Sequence, residues 1–200
     1  MVEKSEWVKI TDENPEHSSW YIERFRAKAA AGEDLSGEAR MINAMVPKGS
    51  RILDAGCGPG RTGGFLADLG HMVTGVDVDP ILIAAAEEDH PGPMWLVRDL
   101  AELDLAADGI EADFDIIVSA GNVMAFLAAS TRREVLSRLG SHLAEDGRLV
   151  VGFGSAREYD FADFFTDVEN AGLTVDLKLS TWDLRAFNAD SEFLVAILRR

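Results

Sequence analysis

Cysteine is almost absent from this sequence, which has only Cys57 among its 200 residues. An internal disulfide is therefore impossible, and a cluster of cysteine thiolates around a metal ion within one chain is excluded. Long apolar runs are missing as well, because no window approaches the roughly 18 uninterrupted apolar residues of a membrane span, and the N-terminus lacks the apolar core of a secretory signal. We expect a soluble, cytoplasmic protein with no membrane partner.

Basic residues are scarce relative to acidic ones: 19 lysines and arginines stand against 35 aspartates and glutamates, and the formal net charge is −16. Such a charge repels the phosphate backbone that dominates nucleic-acid affinity, so we expect no nucleic-acid partner. The sequence leaves the oligomeric state open. Its length and its 47% hydrophobic content suit one domain, spanning residues 1–200.

The apolar runs that do occur are short and continuous rather than alternating. They lie at 52–55, 72–76, 94–97, 114–119 and 149–153. Runs of this kind are typical of strands buried on both faces of a parallel sheet. Segments with helical spacing separate them, which predicts an open α/β sheet with helices on both faces. The link at 99–113 is ambiguous between a short helix and an acidic loop.

The C-terminal part breaks this alternation. Two further strand-like runs, 174–182 and 191–198, are separated by only the eight residues from Asp183 to Asp190. A parallel crossover needs about a dozen residues or more, so these two strands should pair antiparallel. The sequence therefore predicts a Rossmann-like, mostly parallel, seven-stranded sheet with an antiparallel last strand.

Helix signals also occur outside the core. Helical spacing at about 15–30 and 36–46 predicts an N-terminal helical cap, residues 1–48, over one end of an α/β core at 49–200. Asp79 followed by Pro80 predicts the start of a core helix, and the spacing of Thr131 and Glu134 predicts a capping box.

The stretch ILDAGCGPGR, residues 52–61, follows the first predicted strand. The turn there lies at the sheet edge where α/β proteins bind ligands, and glycine lets ligand atoms approach the backbone closely. A dinucleotide fingerprint reads G-x-G-x-x-G, but Gly60 comes one residue early, and the carboxylate of Asp54 would repel a pyrophosphate. The carboxylate of Asp54 would instead attract a cation.

Asp77 ends the second predicted strand, where a carboxylate can accept both hydroxyls of a ribose. S-adenosylmethionine combines a ribose and a positive charge with no phosphate.

Four stretches carry a family resemblance: ILDAGCGPGR, VTGVDVDP, VRDL and FDIIVSAGN. Over about residues 36–200 the chain resembles the class I, Rossmann-like S-adenosylmethionine-dependent methyltransferases of the small single-domain type. The resemblance implies S-adenosylmethionine as the cofactor and methyl transfer as the activity. The size and compact layout are also similar to those of the small methyltransferases related to tellurite resistance, and this likeness identifies no substrate.

The resemblance also implies roles for individual residues. Asp54 and the backbone of residues 55–58 would hold the methionine end of the cofactor, and Asp77 would bind the ribose. Val78 would pack on the adenine, Asp99 with the Leu100 amide would fix the adenine edge, and the Ser119 carbonyl would accept the ligand's amino group. The residues expected to bind the cofactor are Asp54, Ala55, Gly56, Cys57, Gly58, Gly60, Asp77, Val78, Asp99, Leu100 and Ser119.

Methyl transfer from a sulfonium is an in-line displacement that depends mainly on alignment, so a general base is optional and we predict no catalytic residue. The four histidines are scattered and are expected at the surface, and no acidic or histidine cluster suggests a metal site. The fourth-strand loop reads SAGNVMAF, which differs from the Asn-Pro-Pro-Tyr type of the amino-group DNA methyltransferases.

The loops after the last strands and the first cap helix should form the acceptor rim. The residues expected there are Tyr21, Arg26, Asn122, Arg157, Tyr159, Trp182 and Arg185. Arginines on the rim of an acidic protein predict a small, anionic acceptor, and Tyr21, Arg24 and Arg26 could close over it as a lid.

Other interpretations stay open at this point. The glycines could serve only a tight turn, with Asp54 capping the next helix and Asp77 exposed at a strand end. A non-catalytic S-adenosylmethionine sensor would carry the same motifs, and a structural Rossmann-like module in a larger assembly is a further possibility. An NAD-dependent oxidoreductase is the enzymatic alternative, although Asp54 and the early Gly60 argue against it.

Overall fold

A computed structural model describes residues 2–155 and 158–200; Arg157, predicted on the acceptor rim, lies outside them. The α-helices of the described segments are α1 (Glu6–Glu13), α2 (His17–Ala30), α3 (Gly37–Met45), α4 (Arg61–Asp68), α5 (Pro80–Asp89), α6 (Val123–Phe126), α7 (Arg132–Ser141) and α8 (Phe161–Asn170). The strands are β1 (Arg51–Ala55), β2 (Met72–Asp77), β3 (Met94–Val97), β4 (Phe114–Ser119), β5 (Leu143–Gly154), β6 (Thr174–Leu179) and β7 (Phe193–Arg199). In the ambiguous link, a 3-10 turn occupies Leu100–Glu102.

The strands form one sheet in the order β3-β2-β1-β4-β5-β7-β6. The first five strands in that order pair parallel. Strand β7 runs antiparallel to both of its neighbours, β5 and β6. The predicted fold class is confirmed, including the reversed last strand, because the short connection before β7 leaves no room for a crossover helix.

Both faces of the sheet are covered. Successive side chains of a strand point to opposite faces, and the neighbours Ile52 and Leu53 accordingly belong to different apolar clusters. Leu53 packs in the cluster that includes α7 and α8, whereas Ile52 packs in the cluster that includes α3 and α4. This two-sided burial explains why the strand runs are continuous rather than alternating.

The strand order also fixes the position of a crevice. The chain runs outward from β1 through β2 to β3, then returns to place β4 on the other side of β1. The carboxyl ends of β1 and β4 therefore flank the point where the order reverses, which is where open α/β sheets bind ligands.

The N-terminal part contains three helices. Helices α2 and α3 match the predicted segments, whereas α1 was not anticipated from the sequence; its first turn is capped by the Ser5 hydroxyl, which accepts the Val8 amide at 3.3 Å. The division into a cap at 1–48 and a core at 49–200 within one domain stays a prediction. No helix in the described segments is long and apolar enough to cross a bilayer.

The predicted capping box is not formed. The Thr131 hydroxyl donates to the carbonyl of Ala128 at 2.9 Å instead of accepting from an amide of α7. Glu134 pairs with Arg138 one turn further on, with 2.7 Å between the charged groups. A 3-10 turn leads directly into α7 and leaves Thr131 helical, so its side chain cannot reach forward.

Two histidines are buried rather than at the surface. His71 faces the side-chain oxygen of Asn43, with 2.9 Å between the hydrogen-bonding atoms. His142 bridges two segments: its Nε2 accepts the Leu105 amide at 3.1 Å, and its Nδ1 lies 2.7 Å from the carbonyl of Arg138. These contacts are structural, so the surface location expected for both residues is wrong.

Candidate functional site

Asp54 forms one part of the crevice floor, near the carboxyl end of β1. Its side chain is only 2% exposed. One carboxylate oxygen accepts the amide of Gly63, in the first turn of α4, at 2.8 Å. The alternative that Asp54 caps the following helix therefore holds for one oxygen, while the residue also lines a cavity.

Asp77 forms the neighbouring part of the floor, at the end of β2. Its two oxygens accept the amides of Gly58 at 2.9 Å and Asp79 at 3.0 Å. The alternative of an exposed strand-end acid is excluded, because the residue is 9% exposed. Asp77 thus ties the glycine-rich loop to β2 and still has lone pairs for ligand hydroxyls.

Both floor carboxylates lie in an unfavourable electrostatic environment. Burial raises the pKa of Asp54 to about 7 and that of Asp77 to about 6. Neither acid forms an ion pair with any residue that the structure describes. Buried carboxylates without a cation are costly, so this floor suits a ligand that brings positive charge and hydroxyl donors.

The first two motif glycines have different roles. Gly58 has φ +54°, and a Cβ added there would find no atom closer than Cε1 of Tyr21, at 3.9 Å. Gly56 has φ +80°, but a Cβ there would lie 2.4 Å from a methyl carbon of Val123. Gly58 therefore leaves open space in the cavity for a ligand, whereas Gly56 lets the loop pack against the α6 helix.

The third motif glycine is needed for packing. Trp95, on β3, occupies a space bounded by Gly60, Gly63 and Gly75. A Cβ on any of the three would lie within 2.2 to 3.0 Å of its indole ring. Gly60 does not line the cavity; its left-handed φ of +81° and its close approach to Ala86 and Trp95 account for glycine at this position.

The cap helices form the roof over this floor. Trp7 of α1 meets Tyr21 of α2 and Phe126 of α6 edge to face, with ring centroids 5.3 and 5.8 Å apart. Asp79 holds α1 and α2 to the core, since one oxygen accepts the Trp7 indole N–H at 2.9 Å and also the Ser18 hydroxyl. Its other oxygen caps α5, as predicted.

An ion pair closes the other side of the roof. Arg61, at the start of α4, lies 2.8 Å from Glu38 of α3 and also donates to the carbonyl of Leu35. Its guanidinium lies 5.5 Å from the ring centroid of Phe25. Burial alone would raise the pKa of Glu38, but hydrogen bonds from Arg61 hold it below the ordinary value. The dinucleotide fingerprint would have a small residue at position 61. In this chain Arg61 instead joins α4, the helix that follows the glycine-rich motif, to the cap helix α3.

Floor and roof enclose a cavity of about 530 Å³. The predicted cofactor residues that line it are Asp54, Gly56, Cys57, Gly58, Asp77, Val78, Asp99 and Leu100. Ala55 and Ser119 do not line it: both are fully buried, and the Ser119 hydroxyl has no hydrogen-bond partner among the described residues. Burial raises the pKa of Cys57 well above its ordinary value, so this cysteine is a packed thiol.

Two of the predicted acceptor residues line the same cavity. Tyr21 lies on the roof, and Asn122 lies at the end of β4 in the left-handed conformation, with φ +67°. The side-chain oxygen of Asn122 accepts the amide of Gly154 at 2.8 Å, which joins the β4 loop to the end of β5.

Arg26 was predicted on the acceptor rim, but it lies outside the cavity. It pairs with Asp89 of α5 at 2.8 Å and with Glu88 at 3.0 Å. Helix phase is the cause, because the cavity face of α2 follows the spacing Tyr21, Arg24 and Phe25, and Arg26 projects to the side. Arg24 is the arginine of this helix that lines the cavity.

The rim placements of three other residues are also corrected. Tyr159 is 1% exposed, its hydroxyl donates to Asp167 at 2.8 Å, and its ring stacks on Phe153 in the core. Trp182 packs against Gly152 of β5 in the apolar cluster of the α3 and α4 face. Arg185 is exposed and pairs with Asp183 at 3.3 Å. None of these three lines the cavity.

Sequence reasoning missed several residues that shape the site. Trp7, Phe126 and Asp79 meet only through tertiary contacts between distant segments. Arg24 was predicted in the lid but not among the rim residues, although its spacing of three from Tyr21 indicates a shared helix face.

Comparison with known proteins agrees with this geometry. A family model described as "Methyltransferase domain" matches residues 52–147. The crystal structure of a TehB-like S-adenosylmethionine-dependent methyltransferase from Corynebacterium glutamicum is 49% identical, with a TM-score of 0.89, and the match covers 94% of this chain and 100% of that chain. A methyltransferase structure from Clostridium acetobutylicum, with a TM-score of 0.76 at 13% identity over 90% of this chain and 98% of that one, supports the fold alone.

Among curated proteins, an uncharacterized methyltransferase of Mycobacterium tuberculosis is 36% identical over 114 residues, which are 56% of this chain and 54% of that protein. The chain thus spans about half the length of the first curated relatives it matches. The predicted family is confirmed by the full-length match to the C. glutamicum structure. This chain belongs to the class I, Rossmann-like S-adenosylmethionine-dependent methyltransferases.

Proposed function

We propose that the chain transfers a methyl group from S-adenosylmethionine to a small-molecule acceptor by in-line displacement. Family membership supports the enzyme class and the cofactor. The observation that carries the acceptor size is the cavity of about 530 Å³, which contains both floor acids and is roofed by the cap helices. Volumes of this order are typical of small-molecule sites.

The floor residues fit the cofactor. Asp77, already held by two backbone amides, would accept the ribose hydroxyls through its remaining lone pairs. Asp54, with one oxygen on Gly63, would face the positively charged amino-acid end. The sulfonium of the cofactor supplies both the methyl group and the leaving group. Open space at Gly58 lets the ligand pack directly on the loop backbone.

Alignment of the acceptor is the main task left to the chain, because well-oriented reactants can account for roughly 7 to 11 kcal/mol of a barrier. Asn122 suits this task. Its oxygen is committed to the Gly154 amide, so its amide N–H groups, which have no partner among the described residues, can donate to an acceptor oxygen. No histidine of the described segments lines the cavity, and the proposal requires no general base.

The anionic charge of the acceptor stays a prediction. Arg26 and Arg185, on which it was based, are paired with carboxylates away from the cavity, and Arg157 lies outside the described residues. The proposal therefore rests on acceptor size and not on acceptor charge.

Production of S-adenosylhomocysteine tests the proposal. The protein is incubated with S-adenosylmethionine and either a diverse small-molecule library, a pool of folded proteins or DNA, and the product is quantified by mass spectrometry. We expect turnover with the library only. Asp77→Ala should abolish it, whereas Asp146→Ala, at an exposed acid outside the cavity, should retain it.

Two results would contradict the proposal. Tight cofactor binding without transfer to any acceptor would favour the sensor interpretation. Stabilisation by NAD but not by S-adenosylhomocysteine would favour an oxidoreductase, since a ligand at 100 times its dissociation constant adds about 2.7 kcal/mol of stability.

A further inference from the structure

Half of the charged side chains around the cavity have an ion-pair partner among the described residues. The ionisable acids and arginines that line it are Asp34, Glu38, Asp54, Asp77, Asp99, Arg24, Arg61 and Arg98. Arg61 is neutralised by Glu38 at 2.8 Å, and Arg98 by Asp108 at 2.6 Å. Asp34 pairs with Arg40 at 2.7 Å, whereas Asp54, Asp77 and Asp99 have no cationic partner among the described residues.

Arg24 is the exception among the lining arginines. It forms no ion pair and no hydrogen bond with any residue that the structure describes. Its guanidinium carbon lies 5.6 Å from the ring centroid of Trp20, an exposed residue on the same helix. One cation is therefore left without a counterion at the edge of an acidic cavity.

Helix geometry places Arg24 near the glycine-rich loop. Tyr21, one turn earlier on the same face of α2, has its Cε1 3.9 Å from the position of a Cβ on Gly58. Arg24 is close enough to Tyr21 to lower its pKa, although burial dominates and raises that pKa overall. By the family resemblance, the backbone of residues 55–58 holds the amino-acid end of the cofactor.

The amino-acid tail of S-adenosylmethionine carries a carboxylate beside its ammonium group. The ammonium and sulfonium groups suit the floor acids, but the same acids would repel the tail carboxylate. The motif stretches that carry the family resemblance assign no cation to this carboxylate. We propose that the guanidinium of Arg24 binds the carboxylate of the cofactor's amino-acid tail.

Arginine chemistry supports this assignment. A guanidinium presents two parallel N–H groups that match the two oxygens of a carboxylate, and such charge-assisted pairs are roughly twice as strong as neutral hydrogen bonds. Arginine is also more weakly hydrated than lysine, so its pairing with a carboxylate costs less desolvation. The inference rests on the proposed cofactor and is independent of the identity of the acceptor.

Two ligands separate the tail from the nucleoside in a binding experiment. S-adenosylhomocysteine contains the amino-acid tail, whereas 5′-methylthioadenosine keeps the nucleoside and the sulfur and lacks the tail. Calorimetry would measure both dissociation constants for the wild type, for Arg24→Gln and for Arg24→Lys. The matched control is Lys28→Gln, which removes a charge one turn later on α2, where Lys28 pairs with Glu33 outside the cavity.

We expect Arg24→Gln to weaken S-adenosylhomocysteine about 10- to 100-fold, the loss typical of one charged hydrogen-bonded pair, and to change 5′-methylthioadenosine less than about twofold. Arg24→Lys should fall between the wild type and Arg24→Gln, because it keeps the charge and loses the bidentate geometry. Lys28→Gln should leave both constants unchanged.

Two results for the Arg24→Gln variant would overturn the inference. Equal weakening of both ligands by Arg24→Gln would mean that Arg24 shapes the cavity rather than pairing with the tail. Unchanged affinity for both would remove Arg24 from the cofactor site, and a raised acceptor KM in that variant would place it with the acceptor. If the wild type binds neither ligand, the proposed function itself fails.

Discussion

Asp54 and Glu38 line the same cavity, yet their carboxylates are in opposite electrostatic situations. Asp54 has no cationic partner among the described residues, and burial raises its pKa to about 7. Glu38, at 19% side-chain exposure, is fixed by Arg61 at 2.8 Å, and its pKa is held below the ordinary value. The charge that joins α3 to α4 is neutralised within the chain, whereas the charge on the cavity floor, which we propose serves the cofactor, has no counterion among the described residues.

This difference has an energetic consequence. In the ligand-free protein the floor acids should destabilise the folded state, because a buried charge without a partner is costly. The Arg61 and Glu38 pair should instead stabilise it by holding α3 against α4. Substitutions in the two places should therefore change stability with opposite signs.

The largest effect is expected at Asp77. Asp77→Ala should weaken S-adenosylhomocysteine by about 100-fold or more, because charged hydrogen bonds to two ribose hydroxyls contribute about 1.5 to 3 kcal/mol each. Calorimetry measures the loss, with Asp146→Ala as the control. Retention of wild-type affinity in Asp77→Ala would show that the nucleoside lies elsewhere.

Asp54→Asn should make the ligand-free protein more stable. The amide oxygen can still accept the Gly63 amide, while the buried charge is removed, which should stabilise the fold at pH 8 by about 2 to 4 kcal/mol. Thermal melts should then show a rise of at least about 5 °C, together with weaker cofactor binding. A fall in melting temperature would mean that Asp54 is compensated in the free protein.

The same penalty predicts a pH dependence. The pKa of Asp54 rises from 3.8 in the unfolded chain to about 7 in the fold, so the folded state binds more protons between these values. Stability of the ligand-free protein should fall as pH rises from about 5 to about 7 and then level off. Melts of the wild type and Asp54→Asn across this range should diverge with rising pH, and parallel curves would contradict the assignment.

Glu38→Ala should act in the opposite direction. It leaves the half-buried Arg61 guanidinium without its partner, which should cost about 1 to 3 kcal/mol after allowance for solvent screening of the pair. Denaturant unfolding measures the change. Asp34→Ala is the matched control, because its pair with Arg40 is more than half exposed and should contribute much less to stability.

The smallest effect is expected at Arg185. Its side chain is 76% exposed, and among the described residues its guanidinium pairs with Asp183, whose side chain is 67% exposed. Arg185→Ala should change stability by less than about 0.5 kcal/mol and acceptor KM by less than about twofold. A large rise in acceptor KM would restore the sequence-based rim and the anionic acceptor with it.

The fold could be predicted from the sequence because local patterns determine it. Buried strands give continuous apolar runs, and the short link before β7 requires a reversed strand. The floor acids could be predicted for the same reason, since Asp54 and Asp77 each stand at the carboxyl end of a recognisable strand.

The roof could not be predicted in the same way. Trp7 reaches Asp79 across 72 positions of sequence, and no local pattern encodes that contact. Tyr159 and Trp182 follow strands whose ends lie at the correct edge, but their rings turn into the core because apolar partners are available there. Arg26 was misplaced because it is close in sequence to Tyr21, whereas its position around the axis of α2 directs its side chain away from the cavity.

The contact between Trp95 and its three glycines restricts how this sequence can change over evolution. Gly75 has ordinary backbone angles, so the indole ring, 2.2 Å from the position of an added Cβ, and not the backbone forbids a methyl group there. Alanine at position 75 should be accepted only after position 95 has become smaller. In a library that varies positions 75 and 95 together, survivors should therefore fall into two groups, one with glycine and tryptophan and one with alanine and a smaller residue.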